Sequence, residues 1–146
     1  MINIEDIHIG SWVHWQDNQI DPYQWFNGQV ISIVKDENKY KIYTDIGGGD
    51  EFYLEELEPI QLTKDILDRN FIGNKYDTWN MQYWLNDELV ILYYNPNDIC
   101  ICKSIDDPEY AYHDLEWLFD VNNVHTLQNI LKLFGIDKEL KIDQND

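Results

Sequence analysis

Three short runs, Gly28-Gln-Val-Ile-Ser-Ile-Val-Lys35, Lys39-Tyr-Lys-Ile-Tyr-Thr-Asp45 and Glu51-Phe-Tyr-Leu54, follow one another almost without pause. Only Asp36-Glu37-Asn38 separates the first two, and a turn around Gly47-Gly-Gly-Asp50 separates the others. Runs rich in Val, Ile and Tyr, joined by gaps too short for a helix, can satisfy their backbone groups only by antiparallel pairing. An earlier run over 10–15 adds a strand with Trp12 and His14 on one face and Val13 and Trp15 on the other. The second strand alternates Val30, Ser32 and Val34 against Ile31 and Ile33, so both faces are expected to be partly buried. Leu57-Glu-Pro-Ile60 is placed to close the set. Residues 1–62 therefore predict a small five-stranded β-barrel.

Beyond residue 62 the pattern changes. Thr63 caps a predicted helix, with Asp65 favourable in its first turn. Asn70 is expected to stop it in a left-handed conformation and bring Phe71 back onto Ile66. Trp79, Met81, Tyr83 and Leu85 then alternate with polar neighbours, and strands are predicted over 79–85, 88–94, 99–103 and 115–121. Val124, Leu127, Ile130, Leu131 and Phe134 form the stripe of a last helix, ended by Gly135. The polar residues that follow, 136–146, are expected to fray. Residues 63–146 thus read as an α-β-β-β-β-α lobe with an antiparallel sheet.

Charge limits what such a chain can bind. Over 146 residues there are 28 Asp and Glu against 10 Lys and Arg, a formal net charge of −18, and Arg69 is the sole arginine. Direct nucleic-acid binding needs a basic stripe to displace counterions from phosphates. This field repels DNA, RNA and anionic membranes, and it complements a protein partner with a basic surface. The 14% aromatic content argues for a folded core rather than an acidic disordered chain. No apolar run approaches membrane-spanning length, and the start lacks a signal-peptide pattern. Cys100 and Cys102 are poorly placed for an unstrained disulfide with each other, so a reduced, cytoplasmic protein is expected.

Gly10-x-x-Val13-x-Trp15, Gly28-x-Val30-x-x-Ile33, Tyr40-Lys-Ile-Tyr43 and Leu57-Glu-Pro59 resemble, in order, the strands of SH3-like and Tudor barrels. The expected fold class is α+β, an SH3-like β-barrel followed by the α+β lobe. Over the whole chain, Ile9-Gly-Ser-Trp-Val13, Leu57-Glu-Pro-Ile-Gln-Leu-Thr-Lys-Asp-Ile-Leu67 and Val124-His-Thr-Leu-Gln-Asn129 resemble a family without assigned activity. Its members are carried by phages, prophages and conjugative elements of Bacteroidetes-type bacteria. The acidic stretch between Ile105 and Asp114 departs from that pattern. The resemblance implies a mobile-element accessory protein acting inside a bacterium.

Candidate chemistry is sparse. Tudor domains hold methylated Arg or Lys in an aromatic cage by cation–π attraction. The resemblance puts Trp15, Phe26 and Tyr43 at cage-like positions, with Asp45 beside them, Ile46 where a fourth aromatic is expected and Gly48 in place of a polar residue. Asp106, Asp107, Glu109, Asp114 and Glu116 form an acidic stretch suited to a basic partner. Glu55-Glu56-x-Glu58 is a further carboxylate group, expected to be solvated surface. His125 and Gln128 share a helix face, where His125 is expected to tie the helix to a neighbouring strand. His8, His14 and His113 are scattered, and Cys100-x-Cys102 lacks the second ligand pair of a zinc site. Gly47-Gly-Gly49 lacks the Lys-Ser/Thr of a phosphate loop and opens into a strand. No metal, cofactor or catalytic group is expected. The reading is a binding module for a basic host or phage protein, of which an inhibitor imitating nucleic-acid charge is one form. The alternative is a barrel that recognises a small cationic or methylated ligand.

Overall fold

A computed structural model describes residues 1–16, 24–46, 51–75, 80–105 and 114–146. The fold is mixed α+β, with two helices and two antiparallel sheets of four and five strands among the described residues. No helix is long and apolar enough to cross a membrane. Two compact units divide the chain: 1–61 with 123–130 and 142–146, and 62–122 with 131–141.

The first unit carries the sheet β1 (Trp12–Gln16), β2 (Trp25–Asp36), β3 (Lys39–Thr44) and β4 (Glu51–Tyr53), in that order. Val13, Trp15, Val30, Ile42 and Leu57 are buried together with Ile2 and Ile7. Each aliphatic side chain so buried contributes roughly 1.5–3 kcal/mol. Glu37, at φ 54°, makes the tight turn between β2 and β3. Strict alternation in β2 fails. The register slips between Val30 and Ser32, which leaves Ile31 exposed. That bulge lets Val30 and Ile33 both reach the core and turns Val34 outward. After β4 the chain makes a 3-10 turn (Leu54–Glu56), and Glu58 then bridges His14 of β1 through two backbone hydrogen bonds of 2.8 and 3.0 Å. Four strands thus form a continuous sheet, and the segment expected as a fifth joins β1 by a single bridge.

The second unit begins with α1 (Lys64–Asn70), capped as expected by Thr63, whose hydroxyl accepts from the Ile66 N–H. Asn70 does not take the left-handed conformation. It stays helical and buried, because its side chain is already engaged: Nδ2 donates to the carbonyls of Ile66 and Lys141, and Oδ1 accepts from the Lys141 N–H. The sheet runs β5 (Gly73–Lys75), β6 (Met81–Trp84), β7 (Leu89–Asn95), β8 (Asp98–Ile105) and β9 (Asp114–Asp120). Five strands stand where four were expected. The extra strand, β5, is three residues of Gly-Asn-Lys with no alternation to betray it, and only its pairing with β6 defines it.

Helix α2 (Val124–Leu133) ends as predicted. Gly135 takes φ 68°, its N–H meets the Lys132 carbonyl, and the Ile136 N–H meets the Leu131 carbonyl. The residues after it do not fray. Leu140 and Ile142 are buried, and Gln144 is bonded to the backbone N–H and carbonyl of Asn27.

Candidate functional site

The expected cage residues do not converge on one opening. Trp15 is 4% exposed and lies in the core against Phe52, with ring centroids 4.8 Å apart, and beside its cross-strand partner Phe26. Tyr43 neighbours the fully buried Ile42 and Thr44, so the pleat turns it to the other face of β3. There its hydroxyl donates to Glu51 at 2.8 Å. Asp45 is occupied by backbone, accepting from the Gln29 N–H at 2.8 Å. Trp15 and Asp45 do meet, but around Gly28. A Cβ there would lie 2.8 Å from the Trp15 ring and 3.0 Å from the Asp45 carboxylate. Gly48, with 47–49, lies outside the described residues.

A cleft of about 610 Å³ opens instead beside Phe26 and Ile46, lined also by Gln24, Trp25, Gln144, Asn145 and Asp146. Trp25 is 39% exposed and its outer neighbour is His14, ring to ring at 4.6 Å. Burial holds His14 below its ordinary value, against the opposing pull of Glu58, whose carboxylate is 4.0 Å from Nε2, and of Asn27. Two aromatic faces, amide groups and a carboxylate suit a small cationic group. The sequence signal for Trp25 was hidden because the resemblance weighted Trp15 and Tyr43.

Residues of the three motif segments bond to one another. Gln128 of α2 accepts from the Trp12 N–H at 2.8 Å and donates to the Gly10 carbonyl at 2.9 Å, covering the outer edge of β1. Asn129 donates to the Asp6 carbonyl, and the Val124 N–H meets the Ile60 carbonyl. His125 is buried, with its Nδ1 unpartnered among the described residues. Burial holds it neutral, with Asp6 opposing. The tie between α2 and the first strand is made by Gln128.

Cys100 and Cys102 are free thiols in an apolar cluster with Val90 and Leu92, their sulfurs 3.7 Å apart. Burial, then the neighbouring thiol, pushes Cys100 up to about 12, which suits packing and not nucleophilic work. Among the described residues no three His, Cys, Asp or Glu side chains gather as a metal site. Of the acidic stretch, Asp106, Asp107 and Glu109 lie outside the described residues, as does His113. Asp114 opens β9, and Glu116 is exposed on it.

The charges are unevenly placed. The first unit contains fourteen Asp and Glu but only three basic residues, Lys35, Lys39 and Lys41, all on the β2–β3 hairpin. Two of those lysines already have carboxylate neighbours: Lys41 with Asp36 at 3.3 Å and Glu51 at 3.6 Å, and Lys39 with Glu55 at 3.9 Å. The rest of that unit contains no Lys or Arg. No family model, curated protein or solved structure matches the chain.

Proposed function

We propose that the chain is a protein-interaction module that engages a partner with a basic surface. Confinement of all first-unit lysines to one hairpin carries this reading. Elsewhere in that unit carboxylates such as Glu5, Asp6, Glu56 and Glu58 stand on segments without Lys or Arg. A field of one sign steers an oppositely charged partner and repels phosphates. An inhibitor imitating nucleic-acid charge is one form of such a module. On the motif resemblance, it belongs to a bacterial mobile element. The first unit is read as an SH3-like barrel, supported by the return of the chain after the 3-10 turn to bridge β1 at Glu58. Titration of a lysine-rich polypeptide tests the function. Affinity is expected to fall by about tenfold or more between roughly 50 and 500 mM salt. Absence of binding at the low salt, or binding indifferent to salt, contradicts it.

A second reading is favoured by the cleft beside Trp25: a small cationic or methylated ligand, seated there and not in the expected cage. Methyl-lysine and methyl-arginine peptides should change tryptophan fluorescence at about millimolar ligand or below. A Trp25→Ala protein that responds as the parent does would remove this reading.

A further inference from the structure

Strand β2 outruns its partner β3. Their pairing ends at Val30 and Thr44, so residues 25–29 of β2 keep one edge against β1 and turn the other away from it. Side chains fill that second edge. The Gln29 N–H donates to the Asp45 carboxylate at 2.8 Å, and the Asp45 N–H meets the Gln29 carbonyl at 3.0 Å. At Asn27 the side-chain amide of Gln144 does what a strand residue would do. Its Oε1 accepts from the Asn27 N–H at 3.0 Å, and its Nε2 donates to the Asn27 carbonyl at 2.7 Å. The Asn27 side chain returns a bond to the Asp143 carbonyl at 2.8 Å. A turn then closes on itself, with the Asp143 N–H held by the Asp146 carboxylate at 2.7 Å. Ile142, at the head of this segment, is buried.

The cleft beside Trp25 lies on the same edge. Successive strand residues point to opposite faces, so a cleft lined by both Trp25 and Phe26 runs along the edge of β2 and not over either face. Gln144, Asn145 and Asp146 form its other wall. His14 covers one face of the Trp25 ring and does not line the cleft, so the indole meets the cleft with its remaining surface. The described lining residues include the carboxylate of Asp146 and no Lys or Arg. An anion there would meet that carboxylate uncompensated, whereas an organic cation finds both an aromatic surface and an opposite charge.

We propose that Ile142–Asp146 is the closing wall of a site for a methylated ammonium group. Gln144 is the positioning residue that seats this wall on β2, and Asp146 supplies the counter-charge. This rests on the second reading above, of the cleft as a cation site, and adds which segment completes that site. It also couples the site to the fold, because a cation that binds only the seated wall must hold the wall down.

The test titrates the full chain with N-acetyl-trimethyllysine methylamide and with its neutral tert-butyl isostere, and follows exchange of the Asn27 amide. That amide is released only when the wall lifts, so the cation at about ten times its dissociation constant should slow exchange about tenfold. Without ligand, Gln144→Ala should speed Asn27 exchange about fivefold or more. Asp146→Asn keeps an acceptor for the Asp143 N–H while removing the charge. Each substitution should weaken the cation about threefold or more. Binding that is lost in Trp25→Ala but indifferent to either substitution, or without effect on Asn27 exchange, overturns the wall and leaves the cleft reading standing. No binding by the parent chain, equal binding of the neutral isostere, or binding kept in Trp25→Ala removes both.

Discussion

At the scale of single residues, Gln128 and Asp45, both singled out in the sequence, bond their side chains to backbone. Gln128 imitates a neighbouring strand, filling one donor and one acceptor on the outer edge of β1. Gln128→Ala is expected to cost about 1–3 kcal/mol, since it strands two partly buried backbone groups. A urea midpoint unchanged by the substitution would contradict this. Gly28 admits the Trp15 ring, and Trp15 is too deeply buried to retreat. Gly28→Ala should therefore destabilise by about 1–3 kcal/mol. The loss should shrink when Trp15 is also changed to Phe; equal losses in both backgrounds would show that the ring contact is not the cause. Asn70 works in the same way within the second unit, where its amide joins α1 to Lys141. Asn70→Asp keeps an acceptor for the Lys141 N–H but offers no amide donor to two carbonyls, so thermal stability should drop.

At the scale of elements, period and punctuation were legible, while departures from them were not. Thr63 at a cap, Gly135 at a stop and the Asp36-Glu37-Asn38 turn each follow from local chemistry and sit where the sequence puts them. The bulge at Ile31 was invisible, because Val30-Ile-Ser-Ile-Val34 is apolar on both parities and its register is set by β3. β5 was missed since Gly-Asn-Lys has no strand propensity of its own. Gly73 there faces Tyr83, and a Cβ would lie 2.6 Å from that ring. Tyr83 in turn donates to Asp68 at 2.6 Å, and Lys64 meets the same carboxylate. Burial alone would raise Asp68; the donations from Lys64 and Tyr83 outweigh it and hold the carboxyl low. Burial and then the Asp68 bond hold the Tyr83 phenol above its usual range. That Trp15 and Tyr43 face apart was hidden for a reason of the same kind. Which aromatic faces out depends on sheet register, and Trp15, Phe26 and Tyr43 carry no local mark of it.

At the scale of the whole molecule, titration links burial to stability. His14 and His125 both favour the neutral form when folded, so the unfolded chain binds more protons below their ordinary value of 6.5. Stability is then present above pH 6.5 and lost as pH falls through the lowered folded values. At the other end, Cys100 keeps its proton up to about 12 against an ordinary 9.0, so stability falls as pH rises between them. Urea denaturation from pH 5 to 10 should show a plateau between those limits, with a gentler acid arm in His125→Gln. Stability that increases as pH falls below 6.5 would contradict the assignment.

The central claim is that carboxylates on the lysine-free segments of the first unit meet a basic partner. Amide chemical-shift mapping of the full chain, with a lysine-rich peptide added at low salt, tests this most directly. The account predicts that residues 5–6 and 56–58 shift and that the shifts vanish when salt is raised. Shifts confined to the β2–β3 hairpin that carries Lys35, Lys39 and Lys41, or no shifts at all, would contradict it.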